Sequence, residues 1–391
     1  MSSKKASETQ NYDDEYWELT LEYTDIHSER FRGTLEIIRD FYNQHHAEIT
    51  SSGFTVDLNK KLQEQVNTAF PKKDMGSARK AINQFIKLGF VNSGFTYIHP
   101  DVDAFLDAKT NRRRRTLFSK IVYENSHFRN STTKDKTRGG ELNLLIKTLE
   151  EVGKLCQQDI SGLMLADVNK YPAGFLTEEE LNQLKSKSQT INPALTTEKH
   201  PGGTNFIQRK HNQIKYLPNV LQQLDGLTLA NDKCFYFSED AKREFPQEQT
   251  GRDNYQHLLM KNALQEEVEE KKGKMQCMVE EIAYPVLINS HIKPWKTCDD
   301  EYYKSHKEDT VINPAEHQGY DPSNGLLISE NLDGMFDKGN ITFDENGKIV
   351  FSDEIDESVQ TKYKDMSISE EFLTTERKEN LKWHRENKFK K

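Results

Sequence analysis

The chain lacks the sequence features that mark membrane-spanning and secreted proteins. Its 391 residues contain no run of about 18 apolar residues, the length that a membrane-spanning helix requires. The first residues, MSSKKASETQNYDDEYWE, include no apolar segment of a secretory signal, so we expect a cytoplasmic protein with no membrane partner. The four cysteines, at positions 156, 234, 277 and 298, form no C-x-x-C pair, which predicts neither a zinc knuckle nor a disulfide framework.

Apolar residues are also scarce. They make up 34% of the chain, and counting the 20 glycines brings the total to about 39%, below the roughly 45–50% of ordinary globular proteins. Charged residues reach 30%. At about 150 residues per domain, the length predicts two to four domains. Small domains with much solvent-exposed surface therefore fit this composition better than one large core.

The net charge of -9, from 54 basic and 63 acidic side chains, argues mildly against a nucleic-acid partner. The charge is unevenly spread, however. Residues 109–147 hold eleven basic and three acidic residues, a local net of +8, and include the run Arg112, Arg113, Arg114 and Arg115. A field of one sign in a short segment can neutralise phosphates whatever the sum over the chain. The alternative is a solvated linker, which charge runs also form.

Hydrophobic periodicity and turn signals divide the chain into five segments. They are a flexible N-terminus (1–25), a winged-helix-like domain with a basic linker (26–135), a second winged-helix-like domain (136–250), a helical connector (251–283), and a last domain with a helical tail (284–391). The first winged helix is predicted from three short helical patterns and a β-like piece with a turn at residues 92–94. The second is predicted from residues 227–245, which indicate strand, turn, strand and helix. Unrelated helical domains that end in hairpins are the alternative.

One helix in each winged-helix-like domain presents side chains that suit contacts with DNA bases. Arg, Asn and Gln have the geometry for paired hydrogen bonds to guanine or adenine. The candidates are Arg79, Lys80, Asn83 and Gln84 in the first domain and Arg209, Lys210 and Asn212 in the second. The same residue types occur on ordinary surface helices, so the pattern alone does not separate the two interpretations.

Residues 284–354 combine side chains that are typical of a hydrolytic site. His291 ends a β-like run in YPVLINSHIKPW, and Asn324 opens a tight turn before a short strand. Asp333 and Asp337 follow at positions i and i+4, which puts both carboxylates on one face of a helix. A predicted hairpin with an Asn-Gly turn closes the stretch.

In this order, S-H-I-K-P-W, N-G-L-L and F-D-K-G resemble the HNH (ββα-metal) nucleases, in the form found in bacterial restriction endonucleases. The resemblance covers about a fifth of the chain. It implies an α+β, multidomain protein, in which mostly helical winged-helix-like DNA-binding modules precede a C-terminal ββα-metal (HNH) nuclease domain. It also implies that His291 is the general base and that Asn324 holds the loop and orients this histidine.

The same resemblance assigns the metal to the helix after Asn324. Asp333 lies nine residues after Asn324, where the family has its first helical metal ligand. Two carboxylates, with waters and a phosphate oxygen, suit Mg²⁺, with Mn²⁺ as a substitute. Many relatives carry a second histidine in this helix, which is absent here, and Ser290 stands where other branches have a metal-binding Asp or His. These departures leave the third metal ligand open, with Asn331 as a candidate.

We therefore expect a metal-dependent endonuclease of double-stranded DNA, most simply a type II restriction enzyme. One nuclease site per chain must cut two strands, which predicts a homodimer whose two-fold axis matches the DNA site. A restriction enzyme also implies a companion DNA methyltransferase that acts on the same site. Two alternatives stay open: a modification-dependent endonuclease that cuts methylated DNA, and a winged-helix DNA-binding regulator with an inactive HNH fold.

Overall fold

The computed structural model describes residues 17–71, 75–128, 140–243, 245, 252–305 and 317–390. The chain divides into two units, Met1–Gln247 and Glu248–Lys391. Within the described ranges, no helix has both the length and the hydrophobicity that crossing a bilayer requires.

The N-terminal segment is more ordered than its composition predicts. Residues 1–16 lie outside the described part of the chain, but Trp17, Leu19, Leu21 and Tyr23 are buried. The indole Nε1 of Trp17 donates to the carbonyl oxygen of Ala166 at 2.9 Å. The prediction of a flexible segment up to residue 25 is therefore wrong from residue 17 onwards. The alternation of large apolar and polar residues at 17–23, which gives an extended segment one apolar face, was the missed signal.

Five helices build the first half of this unit: α1 (Glu29–Ser52), α2 (Val56–Ala69), α3 (Met75–Lys87), α4 (Val102–Asp107) and α5 (Asn111–Asn125). Their core is aromatic, and the rings of Phe31 and Phe85 meet edge to face with centroids 4.8 Å apart. The three predicted helices are present as α1 to α3. The predicted hairpin after them is reduced to one bridge between Val91 and Ile98. The winged helix therefore stays a prediction for this half.

The second half of the unit mixes helices with a small sheet. Its elements are α6 (Glu141–Val152), β1 (Leu155–Cys156), α7 (Gln157–Leu163), α8 (Glu178–Gln189), α9 (Phe206–Ile214), α10 (Tyr216–Leu221), β2 (Leu227–Leu229), β3 (Cys234–Phe237) and α11 (Glu239–Arg243). The strands form an antiparallel sheet in the order β1-β3-β2. The predicted succession of strand, turn, strand and helix over residues 227–245 is present as β2, β3 and α11.

A disulfide bond joins two strands of this sheet. Cys156 and Cys234 are directly opposite each other in β1 and β3 and are bonded. The expectation of no disulfide is wrong here, because 78 positions separate the two cysteines in sequence and the sheet alone brings them together. Cys277 and Cys298 are buried free thiols.

The second unit is built around two short antiparallel pairs of strands. Its elements are α12 (Asn254–Lys272), β4 (Ile288–His291), α13 (Trp295–Ser305), β5 (Gly325–Ile328), α14 (Glu330–Asp337), β6 (Ile341–Phe343), β7 (Ile349–Phe351), α15 (Glu357–Tyr363) and α16 (Thr375–Asn387). Strand β4 pairs with β5, and β6 pairs with β7. The predicted strand that ends at His291, the strand after Asn324, the helix that ends at Asp337 and the closing hairpin are all present.

Helix α12 belongs to the core of the second unit. Met260, Leu264 and Val268 share one buried cluster with Leu326 of β5. These three residues recur every four positions and so lie on one face of the helix, which is buried. The prediction of a connector at 251–283 is therefore corrected: the helix packs against the strands that hold the site.

The C-terminal helix α16 contacts both α12 and β5 in this core. Arg377 is fully buried, and its guanidinium forms an ion pair with Glu267 of α12 at 2.8 Å. The same side chain donates through Nε to the carbonyl oxygen of Gly325 in β5 at 3.1 Å. The predicted helical tail is thus an integral part of the unit.

His384 of α16 makes the stability of this unit dependent on pH. Its Nε2 donates to the carbonyl oxygen of Phe336 at 3.2 Å, and its Nδ1 lies 2.9 Å from the hydroxyl of Thr342, which donates to the neutral ring. Burial, followed by the charge of Lys388, lowers the pKa of His384 from 6.5 to about 4. Because the unfolded chain takes up the proton first, the free energy of unfolding falls as the pH drops from 6.5 towards 4, by about 3 kcal/mol in all.

Urea unfolding followed by tryptophan fluorescence, at about pH 7.5 and about pH 5, measures this loss. The His384→Gln variant keeps hydrogen-bonding groups but has no proton to gain, so its stability should change less between the two pH values than that of the wild type. His211→Gln, at an exposed ring of the first unit, is the control and should behave as the wild type. Equal pH dependence of His384→Gln and the wild type would contradict the prediction.

Candidate active site

His291 ends β4 opposite Gly325, the first residue of β5. Its Nε2 lies 3.1 Å from the carbonyl oxygen of Gly319. A carbonyl oxygen can only accept a hydrogen bond, so Nε2 carries the hydrogen and the lone pair of the neutral ring lies on Nδ1. The fold thus selects the tautomer in which Nδ1 can take up a proton.

The surroundings of His291 favour its neutral form. Burial lowers the pKa of the ring, the hydrogen bond to Gly319 opposes this, and the positive charge of Arg252 lowers the pKa further. Asp337 acts in the opposite direction, and the pKa ends below its ordinary value of 6.5. A general base must be unprotonated at the working pH, and His291 meets this requirement at neutral pH.

Asn324 holds the backbone that follows His291 in place. It is fully buried. Its side-chain Oδ1 accepts from the backbone N–H of Lys293 at 2.8 Å, and its Nδ2 donates to the carbonyl oxygen of the same residue at 2.9 Å. The backbone N–H of Ile292 donates to the carbonyl oxygen of Asn324 at 2.9 Å. These three bonds tie the two residues after His291 to the start of β5, which is the geometry that the predicted orienting role needs.

Asp333 and Asp337 lie one turn apart on α14. Asp333 is half-buried, and burial raises the pKa of its carboxyl; the hydroxyl of Ser290 opposes this, and the negative charge of Asp337 raises the pKa again. Asp337 is 62% exposed, and its Oδ1 lies 3.0 Å from the Nζ of Lys388. A carboxylate that is buried next to a second negative charge gains from a bound cation.

The donors at this site fit a hard divalent cation that takes few ligands from the protein. Asp333 and Asp337 offer carboxylate oxygens and Ser290 a hydroxyl, and Mg²⁺ is commonly bound by one or two carboxylates with waters and substrate phosphates. No group of three His, Cys, Asp or Glu side chains in the described ranges is arranged around a metal position. Asn331 is exposed and two positions from Asp333, and residues at that spacing do not face each other on a helix. The structure therefore does not bring the predicted third ligand, Asn331, to the carboxylates.

Helix α12 contributes a second histidine to this site, which was not among the predicted site residues. The rings of His257 and His291 are nearly parallel, at 13°, with centroids 5.6 Å apart. Burial, followed by the charges of Arg252 and His291, lowers the pKa of His257 to about 3, so its ring is neutral. The sequence places His257 34 positions before His291, and no local pattern marks the contact. A histidine on the first turn of a predicted helix was the one signal.

Among the predicted base-reading residues, Gln84 has a different role. Its side chain is fully buried, and its Oε1 accepts from the backbone N–H groups of Glu22 and Tyr23 at 2.7 and 2.9 Å. These hydrogen bonds hold the N-terminal segment against α3. The burial of the Gln84 side chain is incompatible with the predicted contact to a DNA base. The other candidates are accessible: Arg79, Lys80, Arg209 and Asn212 are exposed, and Asn83 and Lys210 are half-buried. DNA contact by these six stays a prediction.

The arginine run on α5 is divided between the interior and the surface of the first unit. Arg114 is buried and donates to the carbonyl oxygen of Ala108. Arg115 donates through Nε to the carbonyl oxygen of Leu224 at 3.1 Å. These hydrogen bonds stabilise the unit. The predicted phosphate contact of Arg114 is incompatible with its burial, whereas phosphate contact by the half-buried Arg115 stays a prediction. Arg112 is exposed and Arg113 half-buried, and phosphate contact by these two stays a prediction.

Replacing Arg115 by alanine should therefore destabilise the first unit. The substitution leaves the carbonyl groups of Leu224 and Leu227 without this donor, and lost hydrogen bonds from a charged group cost about 1.5–3 kcal/mol. Lys109→Ala, at an exposed position just before the same helix, is the matched control and should change stability by less than about 0.5 kcal/mol. Urea unfolding of both variants measures the difference. An equal loss in the two would show that Arg115 is not a structural residue.

Comparison with known proteins identifies the class of the second unit. Residues 277–344 match the family model of the HNH endonucleases. The matched segment includes His291, Asn324, Asp333 and Asp337, and the predicted resemblance to this family is confirmed. The second unit thus carries an HNH endonuclease domain, which indicates nuclease activity on DNA, and nucleases of this class typically depend on a divalent metal. A search of curated proteins gives no match to the chain.

Proposed function

We propose that the protein is a metal-dependent endonuclease of double-stranded DNA, and specifically a type II restriction enzyme. The observation that carries the nuclease assignment is the tautomer of His291: its Nε2 is held by the Gly319 carbonyl, and its Nδ1 is free to accept a proton beside the α14 helix, whose Asp337 carboxylate acts on the ring. The restriction assignment adds a role for the first unit in reading DNA. It rests on the form of the HNH motif and on the basic surface of the helices that precede it.

In the proposed reaction, His291 takes a proton from a water molecule through Nδ1, and this water attacks the phosphorus of a phosphodiester. Asn324 acts through the chain, because its hydrogen bonds to Lys293 hold the backbone that follows the histidine. Asp333 and Asp337 would hold Mg²⁺ or Mn²⁺. When bound, this ion neutralises negative charge on the phosphate oxygens and on the departing 3′ oxygen.

The first unit supplies recognition in this proposal. The exposed Arg79 and Lys80 lie on α3, and the exposed Arg209 and Asn212 lie on α9. Side chains of these types contact both phosphates and base edges. A homodimer would bring two nuclease sites to the two strands of a symmetric DNA site, and a companion methyltransferase would protect the host's copies of that site.

Digestion of phage DNA, unmodified and methylated, in the presence of Mg²⁺ tests the proposal. A type II restriction enzyme should cut the unmodified DNA into discrete fragments, and sequencing their ends should give one recognition site. Cleavage of the methylated DNA alone would instead identify a modification-dependent endonuclease. DNA binding without any cleavage, in Mg²⁺ or Mn²⁺, would identify a DNA-binding regulator with an inactive nuclease fold.

A further inference from the structure

The start of α12 brings a positive charge to the general base. The backbone N–H of Asp253 donates to the hydroxyl of Tyr320 at 2.8 Å. Tyr320 directly follows Gly319, whose carbonyl holds His291. His257, one turn further along α12, stacks on the ring of His291. The segment before α12, including Arg252, is thus fixed beside the catalytic histidine by two independent contacts.

In the part of the chain that the structure describes, Arg252 does not have the partners of a structural arginine. Its side chain is half-buried, and its Nε is buried without a hydrogen-bond partner. Among residues 252–305 and 317–390, no carboxylate forms an ion pair with it, and the described groups that interact with its charge are His257, His291 and Tyr320. A partly buried cation without a counter-ion is unfavourable unless an anion from outside completes the site.

Arg377 of the same unit shows the contrast. Its guanidinium pairs with Glu267 at 2.8 and 3.2 Å and also donates to the carbonyl oxygens of Gly325 and Pro322. Arg377 therefore has its charge and its donors satisfied within the fold. The backbone around Arg252 fixes its position, and among the described residues no hydrogen bond or ion pair occupies its guanidinium, which is half-buried and so partly open to solvent.

We infer that Arg252 binds a phosphodiester oxygen of the DNA strand at the position where His291 acts. This assignment rests on the proposed nuclease function and adds a substrate-binding residue to it. The planar guanidinium of arginine matches the oxygens of a phosphate with two parallel hydrogen bonds. A phosphate would also supply the counter-ion that Arg252 does not find among the described residues.

The test uses the full-length chain with Arg252→Ala, Arg252→Lys and, as control, Lys364→Gln, which removes one charge from an exposed position of the same unit. Cleavage of phage DNA is measured with Mg²⁺, and binding of a duplex is measured with chelator over a range of salt concentrations. Arg252→Ala should cleave about 10²-fold more slowly, as expected for the loss of one charge-stabilising donor. Its plot of log binding constant against log salt should be less steep by about 0.9, the slope of one phosphate contact.

Two further measurements separate phosphate binding from a structural role. Guanidinium ion at low concentration should restore part of the activity of Arg252→Ala, while an equal concentration of NaCl should not. Arg252→Lys should keep the wild-type salt slope but lose part of the rate, because lysine does not form the paired hydrogen bonds. Lys364→Gln should match the wild type in all assays.

Wild-type cleavage by Arg252→Ala, or a loss of activity with an unchanged salt slope and no rescue by guanidinium, would overturn the inference and leave the nuclease intact. If the alanine variant unfolds, Arg252→Lys decides: a rate equal to that of the wild type would overturn the inference. Absence of both binding and cleavage by the wild-type protein is a different result, which would refute the proposed function itself and this inference with it.

Discussion

The His291→Ala variant should lose cleavage and keep DNA binding. The ring is the group that accepts the proton of the attacking water, and general bases contribute about 10²–10⁴-fold to rate. Binding should persist, because the histidine contributes no charge that the DNA would need: burial and Arg252 hold its pKa below the ordinary value, so the ring is neutral. The measurement is a cleavage assay with Mg²⁺ beside a binding assay with chelator, on the same duplex.

His291→Gln tests the role of the base more specifically than His291→Ala. A glutamine amide can still donate to the carbonyl oxygen of Gly319, so the local fold is kept, but it cannot accept a proton at neutral pH. It should therefore be as inactive as the alanine variant and as stable as the wild type. Full cleavage by either variant would exclude His291 as the base and end the proposed mechanism.

The Asp333→Asn variant should show the second large effect, a fall in cleavage by about 10²-fold or more, since loss of a metal site removes several kcal/mol of charge stabilisation. Asp333 is expected to matter more than Asp337 because it is half-buried with a raised pKa, whereas Asp337 is exposed and paired with Lys388. The concentration of Mg²⁺ that gives half-maximal cleavage should rise in the variant, and excess Mn²⁺ should recover part of the rate.

Asp365→Asn, at an exposed position of the same unit, controls for the loss of one negative charge and should cleave as the wild type. Asp337→Asn should lie between the two. If Asp333→Asn kept its activity and its dependence on Mg²⁺, then α14 would not hold the metal, and the ligands would have to be sought elsewhere in the chain.

Local signals predicted the strands and helix of the site well. The Asn-Gly turn predicted the hairpin of β6 and β7, and the spacing of Asp333 and Asp337 predicted the helix that carries them. Each of these signals concerns residues within one turn of helix or one turn of hairpin. The geometry they require is therefore already contained in a few neighbouring positions.

Contacts between distant segments were the part that the sequence did not reveal. Gln84 has the residue type of a base reader, yet its side chain is buried against the N-terminal segment, more than 60 positions away. The stacking of His257 on His291 likewise depends on how α12 packs on β5. Residue type and periodicity identify the apolar face of a helix, but they do not identify the element that covers it.

Because α12 packs against β5, it determines where a nuclease domain transferred into another protein has to begin. The family match begins at residue 277, after the end of α12. A side-chain carbon added at Gly325 would lie 2.3 Å from Leu264 and 3.0 Å from Met260, so the helix and β5 are in direct contact. A fusion that begins at the family boundary would expose that face of the strand and would leave out Arg252 and His257. A transplanted domain should therefore begin before Arg252, and one cut at residue 277 should be insoluble or inactive when expressed by itself.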